Sequence, residues 1–279
     1  MANSIYPCLW FDGKAKEAAD YYCAIFPNSS ITSNTPMVVK FEIAGQKIMA
    51  LNGGPMFKIN PSISLFVHCK TKEEINTLWD KLIDGGSAMM PLDQYPWAEK
   101  YGWLIDKFGM TWQLMINAQP EVAFSINPSL LFVNEQYGNA QAAIEHYTRI
   151  LQPAAIFHLE INQSPDEAQN GKLDFGHFML ANAAFSAMDG SGKHDFQFNE
   201  GVSLVVECEN QAILDQYWNE LTSEGAEVQC GWLKDKFGVS WQIIPSILEQ
   251  IMSDPAKAQR AMAEIMKMKK LDISVLLNA

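Results

Sequence analysis

The chain states one phrase twice. Gly102-Trp103-Leu104-Ile105-Asp106-Lys107-Phe108-Gly109-Met110-Thr111-Trp112-Gln113 returns as Gly231-Trp232-Leu233-Lys234-Asp235-Lys236-Phe237-Gly238-Val239-Ser240-Trp241-Gln242, identical at nine of twelve positions and offset by 129 residues. Solenoid units repeat at about 20–50 residues, so an offset this long means duplicated domains. Whatever the chain does is therefore built twice, or built between the copies.

The likeness extends beyond the phrase. Ile5-Tyr6-Pro7-Cys8-Leu9-Trp10-Phe11 corresponds to Ile126-Asn127-Pro128-Ser129-Leu130-Leu131-Phe132, an apolar strand-like run in each case. A helical pattern follows each, with Ala18, Ala19, Tyr22 and Phe26 in one copy and Ala143, Ile144, Tyr147 and Leu151 in the other. Hairpins are predicted over 37–43 and 47–51, turning at Gly45-Gln46, and over 175–181 and 184–188, turning at Asn182-Ala183. Next come a strand over 62–69 (202–208 in the second copy) and a helix over 72–83 (211–223). The repeated phrase then supplies two more strands around a Lys-Phe-Gly turn.

This order makes two β-α-β-β-β modules per copy and four in the chain, an α+β class in which helices cover one face of mainly antiparallel, cupped sheets. The copies are expected at 1–118 and 124–248. Residues 119–124 connect them, and a C-terminal helix and tail occupy 254–279. In that helix Asp254 is the cap and Pro255 the first helical position, with Met262, Ile265, Met266 and Met268 along one stripe. One region breaks the symmetry. Fifteen residues stand between Gly86 and Gly102, but only five between Gly225 and Gly231. The longer aromatic loop, 87–101, is a candidate lid.

At 279 residues, 48% hydrophobic and 19% charged, each copy can bury its own core. The net charge of −12 repels phosphate backbones and anionic lipid, so no nucleic-acid or membrane partner is expected. The five cysteines, Cys8, Cys23, Cys69, Cys208 and Cys230, form no C-x-x-C pair and read as free thiols of a cytoplasmic protein.

Candidate ligand-pocket residues are Trp10, Trp103 and Gln113 with Tyr95 and Trp97 of the long loop, and Trp232 and Gln242 in the second copy. Aromatic rings beside a few polar groups hold flat organic ligands, although each Trp, including Trp112 and Trp241, is also a candidate for the core. A Gln beside a Trp on an apolar strand must find a partner or face a cavity. Cys8 and Cys230 join the set as thiols without a basic neighbour in sequence. Asp106 and Asp235 read as turn residues. His68, His146, His158, His177 and His194 are dispersed without i, i+4 pairing and read as surface or core side chains.

Leu9-Trp10-Phe11-Asp12-Gly13, Ala50-Leu51-Asn52-Gly53-Gly54-Pro55, the stretch Cys230 to Gln242, and Met266-Lys267-Met268-Lys269-Lys270-Leu271-Asp272-Ile273 resemble the PhnB-like branch of the vicinal oxygen chelate superfamily. These are relatives of glyoxalase I and bleomycin-resistance proteins, often labelled 3-demethylubiquinone-9 3-methyltransferase. The resemblance implies tandem glyoxalase-like domains joined as an internal pseudo-dimer, with further homodimerisation open. It also brings the metal set of better-known members, His, Gln and Glu on facing strands. Alignment of strand starts puts Tyr6, Ala50, Ser62 and Gln113 at those positions in the first copy, and Asn127, Ala187, Gly201 and Gln242 in the second. Neither set suits a transition ion, so no metal or other cofactor is expected. The chain also lacks the glycine-rich turn of a nucleotide-type methyl-donor site. The expected function is metal-independent binding of an aromatic or hydrophobic small molecule. The alternative is an enzyme of unassigned reaction in the cup, either a metal-dependent lyase or dioxygenase or a ubiquinone-type methyltransferase. The first copy, with its longer loop and Trp10, is the expected working pocket.

Overall fold

The computed structural model describes residues 4–116 and 124–279. The first copy runs β1 (Ser4–Phe11), α1 (Ala15–Ile25), β2 (Ser30–Asn34), β3 (Val38–Ile43), β4 (Gln46–Asn52), β5 (Ile63–Cys69), α2 (Lys72–Leu82), β6 (Ser87–Tyr95), β7 (Ala98–Ile105) and β8 (Thr111–Ile116). The second runs β9 (Ser125–Phe132), α3 (Ala140–Ile150), β10 (Ala154–Ile161), β11 (Leu173–Leu180), β12 (Ala183–Asp189), β13 (Val202–Cys208), α4 (Gln211–Thr222), β14 (Ala226–Glu227), β15 (Trp232–Lys234) and β16 (Ser240–Pro245). Three helices follow, α5 (Leu248–Ser253), α6 (Pro255–Ile265) and α7 (Ile273–Asn278). The order is the α+β order expected from the repeat. Apart from Phe124, the connection expected at 119–124 lies outside the described residues.

The strands form two mixed eight-stranded sheets, and neither sheet belongs to one copy. One has the order β14-β15-β16-β13-β1-β4-β3-β2 and the other β10-β11-β12-β9-β5-β8-β7-β6. Each therefore joins one module of the first copy to one of the second. The seams are antiparallel, β1 with β13 (Tyr6 opposite Val205) and β5 with β9 (Phe66 opposite Asn127). We call the first sheet's concave face cup A and the second's cup B. Each cup is built on a sheet shared between the copies.

Period-two alternation divides each strand between helix side and cup side. On β1, Ile5, Leu9 and Phe11 enter the helix-side core, whereas Tyr6 and Cys8 form a separate buried cluster with Met49 and Val205. Trp112 and Trp241 are fully buried on the helix side, so both back the sheets rather than line a cup. Their indole N–H groups are satisfied there by Asp106 and Asp235. Asp106 accepts from Tyr22 and Trp112, each at 2.8 Å, and from the backbone N–H groups of Phe108 and Met110. Asp235 repeats this with Tyr147, Trp241, Phe237 and Val239. The repeated phrase is thus a turn whose aspartate ties the last hairpin of a copy to that copy's first helix.

Three sequence expectations change in detail. The two hairpin turns sit one residue earlier, at Ala44-Gly45 and Ala181-Asn182, all four residues having positive φ as a two-residue hairpin requires. The stretch 87–101 is no loose loop but the β6–β7 hairpin, which extends the sheet of cup B through its aromatic turn at Pro96-Trp97. The second copy has only the two-residue β14 there, and the C-terminal tail covers the gap. Cys230 N–H donates to the Met268 carbonyl and Gly231 N–H to that of Lys269, each at 2.8 Å. The tail is two helices, not one; α6 is capped as expected, by Asp254. Among the described residues no helix is long and apolar enough to cross a membrane.

Candidate functional site

Sheet curvature brings together side chains that strand order keeps apart. β11 and β5 are three strand spacings from each other, about 14 Å in a flat sheet. Across cup B, however, the rings of His68 and His177 lie 6.4 Å apart and those of Phe66 and Phe175 5.8 Å. The equivalent strands of cup A, β13 and β3, bring Glu207 and Lys40 to 3.7 Å. Strand equivalence places Glu207 where cup B has His68, and Lys40 where it has His177. The two cups share geometry and differ in chemistry.

Cup B is aromatic. Phe66 stacks on His68 at 4.7 Å, Tyr95 stacks on Trp97 at 5.0 Å, and Tyr101 meets both of the latter edge-on. Trp97 is 60% exposed and Phe157, on the opposite wall beside His177, is 58% exposed. Between the hairpin turn and β8 opens a hollow of about 530 Å³, lined by Gln94, Tyr95, Trp97, Glu99, Met115 and Ile116. The floor holds a chain of neutral groups. Tyr101 donates to Gln113 Oε1 at 2.7 Å, Gln113 Nε2 donates to Ser64 Oγ at 2.6 Å, and Asn127 Nδ2 donates to Ser186 Oγ at 3.0 Å.

Other groups in this cup are poorly partnered. Both ring nitrogens of His68, the Trp103 indole N–H and the Ser129 hydroxyl are buried without a well-formed hydrogen bond, although the Asn127 side chain acts on His68 as a hydrogen-bond partner that opposes the fall of its pKa. All three side chains share the cup face, since Trp103 pairs with Gln113, Ser129 with Ser64, and His68 follows Phe66 by two residues. Burial, reinforced by His177, lowers the His68 pKa to about 4, so its imidazole is neutral and offers one donor and one acceptor. His177 is lowered by burial and then by the neighbouring His158, which pairs with it across β10–β11. Sequence spacing had dispersed these three histidines; the strand order and the curl gather them. His146 and His194 lie elsewhere, on α3 and in the 190–200 connection.

Cup A is closed and ionic. Tyr6 donates to Glu207 Oε1 at 2.6 Å, Lys47 Nζ lies 3.0 Å from both Glu207 oxygens, and Lys40 Nζ lies 2.7 Å from Glu249 on α5. At its other end Trp10 donates to the Gly54 carbonyl at 2.7 Å and meets Trp232 edge-on at 6.0 Å. Gln242 donates to Ser203 at 3.0 Å beside Cys8, whose thiol is pushed up to about 12 by burial. Cys230 sits apart, against Met266 of the tail, with its pKa also raised by burial. Neither thiol has the thiolate character of a nucleophile.

The expected ligand-pocket set thus splits. Tyr95, Trp97, Trp103 and Gln113 belong to cup B. Cys8, Trp10, Trp232 and Gln242 belong to cup A, and Cys230 lies under the tail. His68, His177, Lys40, Lys47, Glu207 and Glu249 were missed. The signal of His68, His177, Lys40, Lys47 and Glu207 was present only as polar residues in strand positions that alternate with core residues, and Glu249 stands on α5.

The metal set implied by the superfamily does not fit. Ala50 and Ala187 face the helix-side core, one register position off the cup. The cup-floor donors are hydroxyls, neutral amides and a protonated thiol, and most already bond one another. Among the described residues no three His, Cys, Asp or Glu side chains are arranged to hold a metal ion.

A family model described as 3-demethylubiquinone-9 3-methyltransferase matches residues 3–115 and again 124–244. The chain belongs to that family. Family membership accounts for both copies, and their limits fall close to the repeat. A PhnB protein from Bacillus cereus, itself described as a putative 3-demethylubiquinone-9 3-methyltransferase, is 37% identical over 40% of this chain and 98% of its own, with a TM-score of 0.38. A Pseudomonas aeruginosa protein is 25% identical over 39% and 94%, with a TM-score of 0.35. Glyoxalase I from Zea mays is only 8% identical but covers 86% of this chain and 92% of its own at a TM-score of 0.56. The tandem four-module fold is therefore shared with glyoxalase I, and nothing further follows from that likeness. A comparison with curated proteins finds no match.

Proposed function

We propose that this family member binds a flat aromatic small molecule bearing a hydrogen-bonding oxygen, in cup B and without a metal. One observation carries the reading: buried polar atoms without a well-formed hydrogen bond, on His68, Trp103 and Ser129, gather on the aromatic face of cup B, where His68 pairs with Met115 of the hollow's lining. Each such atom costs about 1–3 kcal/mol in desolvation. A ligand that satisfies His68 recovers that cost in the bound state, while Phe66, Tyr101, Trp97 and Phe157 supply ring contacts. The family description names methyl transfer to a quinone-type phenol, a substrate of this shape. Such an enzymatic role is the second reading, and it requires a methyl donor for which the chain has no glycine-rich turn.

The test uses 1-naphthol as probe and naphthalene as its oxygen-free control, with melting followed in zinc and in chelator. Naphthol at a hundredfold excess over its Kd should stabilise the protein by about 2.7 kcal/mol, equally with zinc or chelator. His68→Leu or Trp97→Ala should remove most of the effect. Binding that survives both substitutions, or that requires zinc, sinks the proposal. A melting shift with S-adenosylmethionine would favour the methyltransferase reading instead.

A further inference from the structure

The charged groups of cup A are not those of a core ion pair. Beneath them lies an apolar floor of Tyr6, Cys8, Met49 and Val205, buried yet separate from the helix-side core. Two amines stand over it, Lys40 and Lys47, whose side chains are 12% and 27% exposed. One internal carboxylate is present. Glu207 holds Tyr6 at 2.6 Å and Lys47 at 3.0 Å, which uses its charge on Lys47 and leaves Lys40 at the longer 3.7 Å. Lys40, with only the longer contact to Glu207, has room for a second anion close by.

Glu249 is that anion, and it is held in an unusual way. It approaches Lys40 to 2.7 Å from α5, a six-residue helix outside both sheets, and its own side chain is 58% exposed. The pairing is lopsided: the cation depends on the contact, whereas the carboxylate would be solvated without it. With Glu249 swung out, Lys40 is left with Glu207 at 3.7 Å beside a hydroxyl and an apolar floor, while the exposed Glu42 stands opposite Lys47 on the same face.

We infer that cup A is a binding site for a small carboxylate with an apolar body, closed in this structure by Glu249 as an internal occupant. The ligand's carboxylate takes the Glu249 seat on Lys40, so the exchange trades one charge contact for its equal. The apolar body takes the space beside Lys40 that Glu249 and α5 vacate, near the floor on which Val38, Leu51 and Ile244 already pack, and its burial decides the competition. This site is distinct from cup B and does not depend on the reading of cup B.

Calorimetric titration of the full-length protein with hexanoate tests it, with hexanol as the uncharged control. Hexanoate, which has no ring, is a poor probe for cup B. Glu249→Gln should bind hexanoate at least tenfold more tightly than the unsubstituted protein, and adding Lys40→Met should abolish the gain. Lys40→Arg in the same background should restore affinity to within a few fold, which separates loss of the charge from loss of the fold. Hexanol should bind none of these variants measurably. Equal hexanoate affinity with and without Glu249→Gln, or affinity retained after Lys40→Met, overturns the inference. So does loss of hexanoate binding in His68→Leu, which would move the site to cup B.

Discussion

Asp106 and Asp235 each use two oxygens to take four donors, two from a tight turn and two from rings on other elements. An asparagine keeps the shape but turns an NH₂ toward two of those donors. Asp235→Asn should therefore destabilise the protein by roughly 2–4 kcal/mol at pH 5, measured by denaturant unfolding. Burial opposes the ionised form and outweighs the four hydrogen bonds, pushing Asp235 from its ordinary 3.8 up to about 6. Because the folded state then holds the proton more tightly than the unfolded chain, this contribution to stability is full below about pH 4 and is lost as pH rises through about 6. The gap between the unsubstituted protein and Asp235→Asn should consequently shrink between pH 4.5 and pH 7. A gap that widens would mean that the donors, not burial, dominate. The sequence announced these aspartates as turn residues; Tyr22 and Tyr147 were legible only as helix-face residues, since nothing local says that a phenol 84 or 88 residues away will reach the same oxygen.

The β6–β7 hairpin and the C-terminal tail solve the same problem at equivalent sheet edges. In cup B ten more residues carry the strands onward; in cup A the shorter connection leaves Cys230 and Gly231 to bond the tail. The hairpin passes α2 closely at Gly102, where an added Cβ would stand 2.5 Å from the Trp79 ring and 3.0 Å from the Leu92 Cα. Gly102→Ala should cost about 1–3 kcal/mol through this overpacking and loosen the hairpin, read as faster proteolysis between 87 and 101. Elements with a strong period were legible, such as α1, α3 and the apolar β5 and β13. β2 and β10 were not, because edge strands such as Ser30–Asn34 and Ala154–Ile161 expose polar or mixed faces and lack an alternating core signature. The long loop was misread for a related reason: pairing between β6 and β7 is interrupted by register shifts, so no clean alternation marks it.

At the scale of the whole molecule the cross-copy seams are the main constraint. β1 against β13 and β5 against β9 are central pairings, so neither copy alone could close its sheets. Cutting a protease site inserted between residues 118 and 124 should leave both fragments eluting as one particle, separating only in denaturant. Fragments that part in native buffer would contradict this. The repeat made the two-copy fold legible, but not which module pairs with which, because a duplicated sequence satisfies both arrangements equally. The site suffered most: His68, His177, Lys40 and Glu207 come together only through that choice of partner and the curl of the sheets.

Those seams also carry a consequence about freedom to diverge. Two separate identical chains meeting across such seams would be related by a twofold axis, and every substitution would appear in both cups at once. Joined end to end, the halves escape that restriction, because cup A and cup B draw on different modules. One has become a histidine-bearing aromatic face, the other a face of paired lysines and glutamates. Asymmetry of this kind lets a single polypeptide carry two chemically different cups on one frame, which a symmetric pair cannot do.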